Sequence, residues 1–130
     1  MSLNVLIVDD SSVMRAMIAK TLQMTELQIG ELHQAGDGLE GIETLKNHWV
    51  DLVIADINMP VMNGEEMLKK MADDPELSPI PVIVVSTEGS ETRIDRIRKL
   101  GARFIHKPFT PEQFRDAIVE MTGLGGEGND

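Results

Sequence analysis

The stretch VLIVDDSSVM, residues 5–14, decides how the chain is read. Four consecutive apolar residues without alternation describe a strand buried on both faces, as in a parallel sheet covered by helices. The strand runs straight into Asp9 and Asp10, then Ser11 and Ser12, and then Met14, Met17, Ile18 and Leu22 at helical spacing. Two carboxylates about 4 Å apart repel by roughly 4 kcal/mol at an effective dielectric near 20. A buried strand that ends this way needs a reason for its charges.

Working outward, DLVIAD (51–56) and IPVIVVS (80–86) repeat the pattern of a short, β-branched, apolar run. Each is followed by a helical stripe, Met67, Leu68 and Met71 after one and Ile94, Ile97 and Leu100 after the other. Weaker, more polar strands fit at ELHQA (31–35) and RFIH (103–106). The last helix opens at TPEQF, with Thr110 as N-cap, Pro111 in the first turn and Gln113 completing a capping box. Its apolar face is Phe114, Ala117, Ile118 and Met121. Five strands alternating with five helices predict an α/β domain over residues 1–122, a doubly wound parallel sheet with the polar strands at its edges. GLGGEGND (123–130) has no periodicity and reads as a flexible tail or a truncated linker.

Ligands of such sheets bind outside the carboxyl ends of the strands. Those ends carry Asp9 and Asp10, Asp56, Ser86 and Thr87, and Lys107. One lysine does not balance three carboxylates, and a hard divalent cation with oxygen ligands, Mg²⁺, suits the set. A carboxylate beside such a cation, a lysine and a hydroxyl is arranged to accept a phosphoryl group. The chain has no cysteine, and His33, His48 and His106 are scattered in sequence; strand alternation turns His106 away from Lys107.

With 130 residues, 42% of them apolar, the chain is long enough for one self-supporting core. A net charge of −10 argues against direct nucleic-acid binding. No window approaches 18 apolar residues, so no membrane insertion is expected, and a cytoplasmic protein is the expectation.

The segments VLIVDDSSVMR, DLVIADINMPVMNG, PVIVVSTEG and HKPF, in this order across residues 4–121, resemble the receiver domains of two-component response regulators, in particular the single-domain, CheY-like ones. The resemblance implies the strand order 2-1-3-4-5 and assigns roles by position. Asp56 is the phosphoacceptor. Asp10, Asp56 and the backbone carbonyl of Asn58 bind Mg²⁺ directly, with Asp9 acting mainly through water. Ser86 is the switch hydroxyl, Lys107 pairs with the phosphoryl group, and the Lys107–Pro108 peptide is cis. Pro60 and Gly64 shape the loop at the wall of the site, and Asn58 and Glu88 tune phosphoryl lifetime. Phe104 takes the place of the switch aromatic, often tyrosine, and Ser86 that of the commoner threonine. The loop before the fifth strand is one residue short of the family pattern. The implied partners are a sensor histidine kinase or phosphotransfer protein upstream, and a downstream target docking on the face of the fourth helix, fifth strand and fifth helix. The implied role is a stand-alone regulator of chemotaxis or phosphorelay type, a phosphoacceptor rather than an enzyme.

Rival assignments exist. GDGLEG (36–41) satisfies the glycine pattern of a dinucleotide site, but it follows a polar edge strand. A Mg²⁺-dependent aspartyl phosphatase would carry its nucleophile at the end of the first strand. A receiver cut from a larger regulator, or one that never takes phosphate, would keep the fold. Arg93, Arg96 and Lys99, on the outward side of the fourth helix, read as a solvated face or as a surface for an acidic partner.

Overall fold

Val5, Leu6, Ile7 and Val8 are all fully buried in the computed structural model, which describes residues 2–123. They form the centre of β1 (Leu3–Val8), and burial on both faces explains why the run lacks alternation. The chain continues through α1 (Ser12–Met24), β2 (Ile29–Ala35), α2 (Gly38–Asn47), β3 (Leu52–Ala55) and α3 (Gly64–Ala72). It ends with β4 (Val82–Ser86), α4 (Glu91–Lys99), β5 (Arg103–His106) and α5 (Pro111–Thr122). All strand pairs are parallel and the order is β2-β1-β3-β4-β5, as the resemblance implied.

Alternation within each strand sends side chains to two cores. Leu6, Val8, Val53, Ala55, Val82 and Val84 meet Ile42, Leu45, Met67, Leu68, Met71 and Ile97 of α2, α3 and α4. On the other face, Val5, Ile7, Leu52, Ile54, Ile83 and Val85 meet Ile18 and Leu22 of α1 and Phe114 and Ile118 of α5. Each such side chain, fully buried, contributes about 1.5–3 kcal/mol, enough in sum to hold the charged strand ends in place.

The differences from expectation are local. β2 begins two residues early because Ile29 pairs with Leu3. Met17 is 50% exposed; α1 buries Ile18 and Leu22, four residues apart, and Met17 falls on its outer flank. His33 and His48, far apart in sequence, meet with ring centroids 4.3 Å apart. α5 has the predicted capping box and stops at Gly123, whose φ of 78° is the left-handed C-cap. Of the predicted glycine-rich tail, residues 123–130, only Gly123 is described, and residues 124–130 lie outside the described residues.

Candidate metal and phosphoryl site

Sheet hydrogen bonding continues past the strands into the charged residues. Asp9 N–H donates to Ala35 O at 3.1 Å, Asp56 N–H to Val8 O at 3.0 Å, and Lys107 N–H to Ser86 O at 3.0 Å. The backbones of Asp9, Asp56 and Lys107 are thereby locked to neighbouring strands, which is why residues from distant segments converge. One carboxylate oxygen each from Asp9, Asp10 and Asp56 lie within 4.8 Å of one another. Lys107 Nζ reaches Asp56 Oδ2 at 3.4 Å and Asp9 Oδ2 at 3.7 Å. Ser86 is buried at the end of β4, and its Oγ accepts the Glu88 N–H at 3.1 Å. Asn58 is exposed in the loop after Asp56.

The three carboxylates are not equivalent. Asp9 is 2% exposed and Asp10 is exposed, with Asp56 between them. Asp9 Oδ1 accepts the Ser11 N–H at 2.9 Å, but Asp9 Oδ2 is buried without a hydrogen-bond partner. Burial pushes the Asp9 carboxyl above its ordinary value against the pull of the Ser11 N–H, and the charge of Asp56 adds to the rise. Asp56 Oδ1 accepts the N–H of Ile57 at 2.7 Å, and Oδ2 faces Lys107. An orphaned buried carboxylate oxygen beside two further carboxylates fits a hard divalent cation. Asp9, Asp10 and Asp56 are the side chains that would hold it.

This arrangement predicts an Asp9→Asn variant that melts higher than wild type at neutral pH without divalent cations. Folding raises the affinity of Asp9 for its proton, so its penalty is absent at pH values below the unfolded carboxylate value and grows as pH rises through the raised one. Asparagine keeps the acceptor for Ser11 and removes the charge. The difference between the melting curves should vanish as pH falls toward 4, near the unfolded value. At a free Mg²⁺ ten times its dissociation constant, linkage adds about 1.4 kcal/mol to wild type, and the variant should gain less. A variant that melts lower at pH 7 and keeps the full Mg²⁺ response would remove Asp9 from the site.

The wall of the site is the loop between β3 and α3. Met62 N–H donates to Pro60 O at 2.7 Å around Val61, whose φ of 66° is left-handed. That conformation is strained for a β-branched residue, and no feature of the sequence signalled it. Gly38 N–H holds the same loop through Met62 O at 2.9 Å. A Cβ on Gly38 would lie 2.7 Å from that carbonyl oxygen, and one on Gly41 3.1 Å from Met67 Sδ. The glycines of GDGLEG thus serve close packing of α2. The Lys107–Pro108 peptide is cis.

Farther out, Phe104 is partly buried against the α2–α3–α4 core, with the His106 ring against its edge at 4.7 Å. His106 is exposed, on the face expected for it. Arg15, unremarked in the sequence, donates from Nη1 to the Asp9 carbonyl and from Nε to Gln34 Oε1, bracing the turn that carries the acids. On α4, Arg96 and Lys99 are exposed and Arg93 is partly buried, and Arg93 and Arg96 pair with Glu88 and Glu65 of the same chain.

Comparison with known proteins identifies the family of this fold. A sequence model described as the response regulator receiver domain matches residues 5–119. The chain is 39% identical over 129 residues to a chemotaxis protein CheY homolog of Campylobacter jejuni, covering 97% of this chain and 98% of the relative. It is 36% identical to chemotaxis protein CheY1 of Helicobacter pylori, covering 93% and 98%. Among solved structures, CheY4 of Vibrio cholerae superimposes with a TM-score of 0.80 at 31% identity, over 93% of this chain and 99% of that one. Among the described residues, no helix is long and apolar enough to cross a membrane. With its fold, its acidic strand ends and these relatives in agreement, the chain belongs to the response regulator receiver domains of two-component signalling and is homologous to the CheY chemotaxis regulators.

Proposed function

We propose that this receiver takes a phosphoryl group on Asp56 from a phosphohistidine of a sensor kinase or phosphotransfer protein, and signals by docking to a separate partner. One observation carries the proposal: Asp9, Asp10, Asp56 and Lys107, from three separate strand ends, meet at one edge of the sheet. Asp56 is the carboxylate suited to attack, being partly exposed and having Oδ2 beside Lys107. Its oxygen bonds to phosphorus as the P–N bond breaks, and the electron pair leaves with the imidazole nitrogen, which is then protonated. Mg²⁺ bound by Asp9, Asp10, Asp56 and the Asn58 carbonyl would supply charge neutralisation at the phosphoryl oxygens. Lys107 leaves its carboxylate partners for a phosphoryl oxygen, and Ser86 moves toward another. Phe104, on β5 and packed against the core, carries the change to the face formed by α4, β5 and α5, where a target docks. Asn58 and Glu88, on loops flanking the site, set how long the phosphoryl group survives.

Moving an equilibrium from 1:99 to 99:1 takes about 5.5 kcal/mol of differential interaction. A charge-assisted bond from lysine and a hydroxyl bond from serine account for a large share of that. A Lys107→Ala variant should therefore still be phosphorylated by a small phosphodonor in Mg²⁺, more slowly, without the change in backbone chemical shifts around Phe104 that wild type shows. Chelating Mg²⁺ should stop labelling of both proteins. Wild-type shift changes in the variant would remove Lys107 from the switch, and labelling that survives chelation would refute the metal-assisted reaction.

A further inference from the structure

Glu65 opens α3 directly after Gly64 and is 9% exposed, and a carboxylate so placed needs partners. They come mainly from α4. Arg96 donates from Nε to Glu65 Oε2 at 2.9 Å and from Nη2 to Oε1 at 3.3 Å. Arg93 Nε lies 3.9 Å from Oε1, and Lys69 of the same helix 3.8 Å from Oε2. The Arg96 hydrogen bond holds the Glu65 carboxyl below its usual range in spite of burial. Arg93 extends the chain, since its Nη1 donates to Glu88 Oε1 at 3.1 Å. Glu88 Oε2 accepts the Ser90 N–H at 3.0 Å, and the Glu88 N–H donates to Ser86 Oγ at 3.1 Å. A continuous set of polar contacts thus joins Ser86 to the helix that follows the Asp56 loop.

We propose that Glu65 is a positioning residue: through Arg93 and Arg96 it latches α4 and the Ser86–Ser90 loop to α3, and so holds the Ser86 hydroxyl in its resting place. This rests on the phosphoacceptor role of Asp56. Movement of Ser86 onto a phosphoryl oxygen draws Glu88 with it, and the latch resists that movement. Releasing the latch should favour the phosphorylated arrangement before any phosphate arrives.

The test uses the full chain. Hydrogen exchange of the Ser86–Ser90 amides is followed without phosphodonor, and the phosphorylation rate with a small phosphodonor is measured at saturating Mg²⁺. Glu65→Gln should speed exchange in the loop and raise the rate about fivefold, within the range for residues that couple two sites. Arg93→Ala should do the same, and it serves if Glu65→Gln fails to fold. Lys69→Ala touches the same carboxylate without tying α4, and should leave both readouts at wild-type values. Unchanged loop exchange overturns the latch, and faster exchange with an unchanged rate overturns its hold on the Ser86 movement, in both cases leaving Asp56 as acceptor. If wild type itself takes up no phosphoryl group, the acceptor role falls instead. Loop exchange in Glu65→Gln then decides alone whether the latch exists.

Discussion

A Gly64→Ala substitution is expected to destabilise the protein by about 3 kcal/mol, at the upper end of overpacking costs, and to disable the site. A Cβ at Gly64 would lie 2.2 Å from the carbonyl oxygen of Asp56 and 3.0 Å from Ile57 Cα, both backbone atoms with no flexible end to yield. The approach is that close because the Gly64 N–H donates to Ile57 O at 2.7 Å, closing the loop onto the end of β3. Alanine ordinarily gains about 1 kcal/mol over glycine in a helix, but that gain is smaller than the cost of the collision. A loss of this size lowers the melting temperature of a domain of this length by roughly 10 °C. Relief of the clash has to move either the start of α3 or the backbone of Asp56. Phosphoryl uptake should therefore fall even well below the melting temperature of the variant. The control is Gly89→Ala, where a Cβ meets nothing within 4 Å; it should melt and react like wild type. Equal melting of the two variants would mean that the loop has room that this structure does not give it.

The parts of the fold legible in the sequence were those where burial is extreme. β1, β3 and β4 are covered on both faces, so each carries an unbroken apolar run (5–8, 52–55 and 82–85), and the edge strands β2 and β5 are more polar for the opposite reason. The site was legible because its members directly follow strands, and a parallel sheet brings such ends together whatever their separation in sequence. Contacts between helices were not legible. Glu65 in the first turn of α3 reads as an ordinary acid complementing the helix dipole. Its burial is set by Arg96, 31 residues away on another helix. The same contact ties Arg96, itself still exposed, to α3, a pairing that the spacing of basic residues along α4 does not reveal. Nor could adjacency in sequence tell Asp9 from Asp10. Only the pleat of β1 decides that Asp9 points into the protein and Asp10 out of it. Val61 is a similar case, since its left-handed backbone follows from loop closure and not from its own preference.

The central claim, that Asp56 is the phosphoacceptor, separates three carboxylates that share one site. Asp9 is buried, with no hydrogen bond to its Oδ2, and Asp10 is exposed. Lys107 Nζ lies 3.4 Å from Asp56 and 3.7 Å from Asp9. Asp56 alone combines partial exposure with a lysine contact, so that a donor can reach it and the developing charge is met. The measurement is peptide-resolved mass spectrometry of the chain after incubation with Mg²⁺ and a small phosphodonor, for wild type and for Asp56→Asn. The expected result is one base-labile phosphoryl group per wild-type chain, on the peptide containing Asp56. Labelling of the variant should fall by about a hundredfold or more, a loss of roughly 2.7 kcal/mol in barrier terms. A phosphoryl group mapped to Asp9 or Asp10 in wild type, or undiminished labelling of Asp56→Asn, would contradict the assignment.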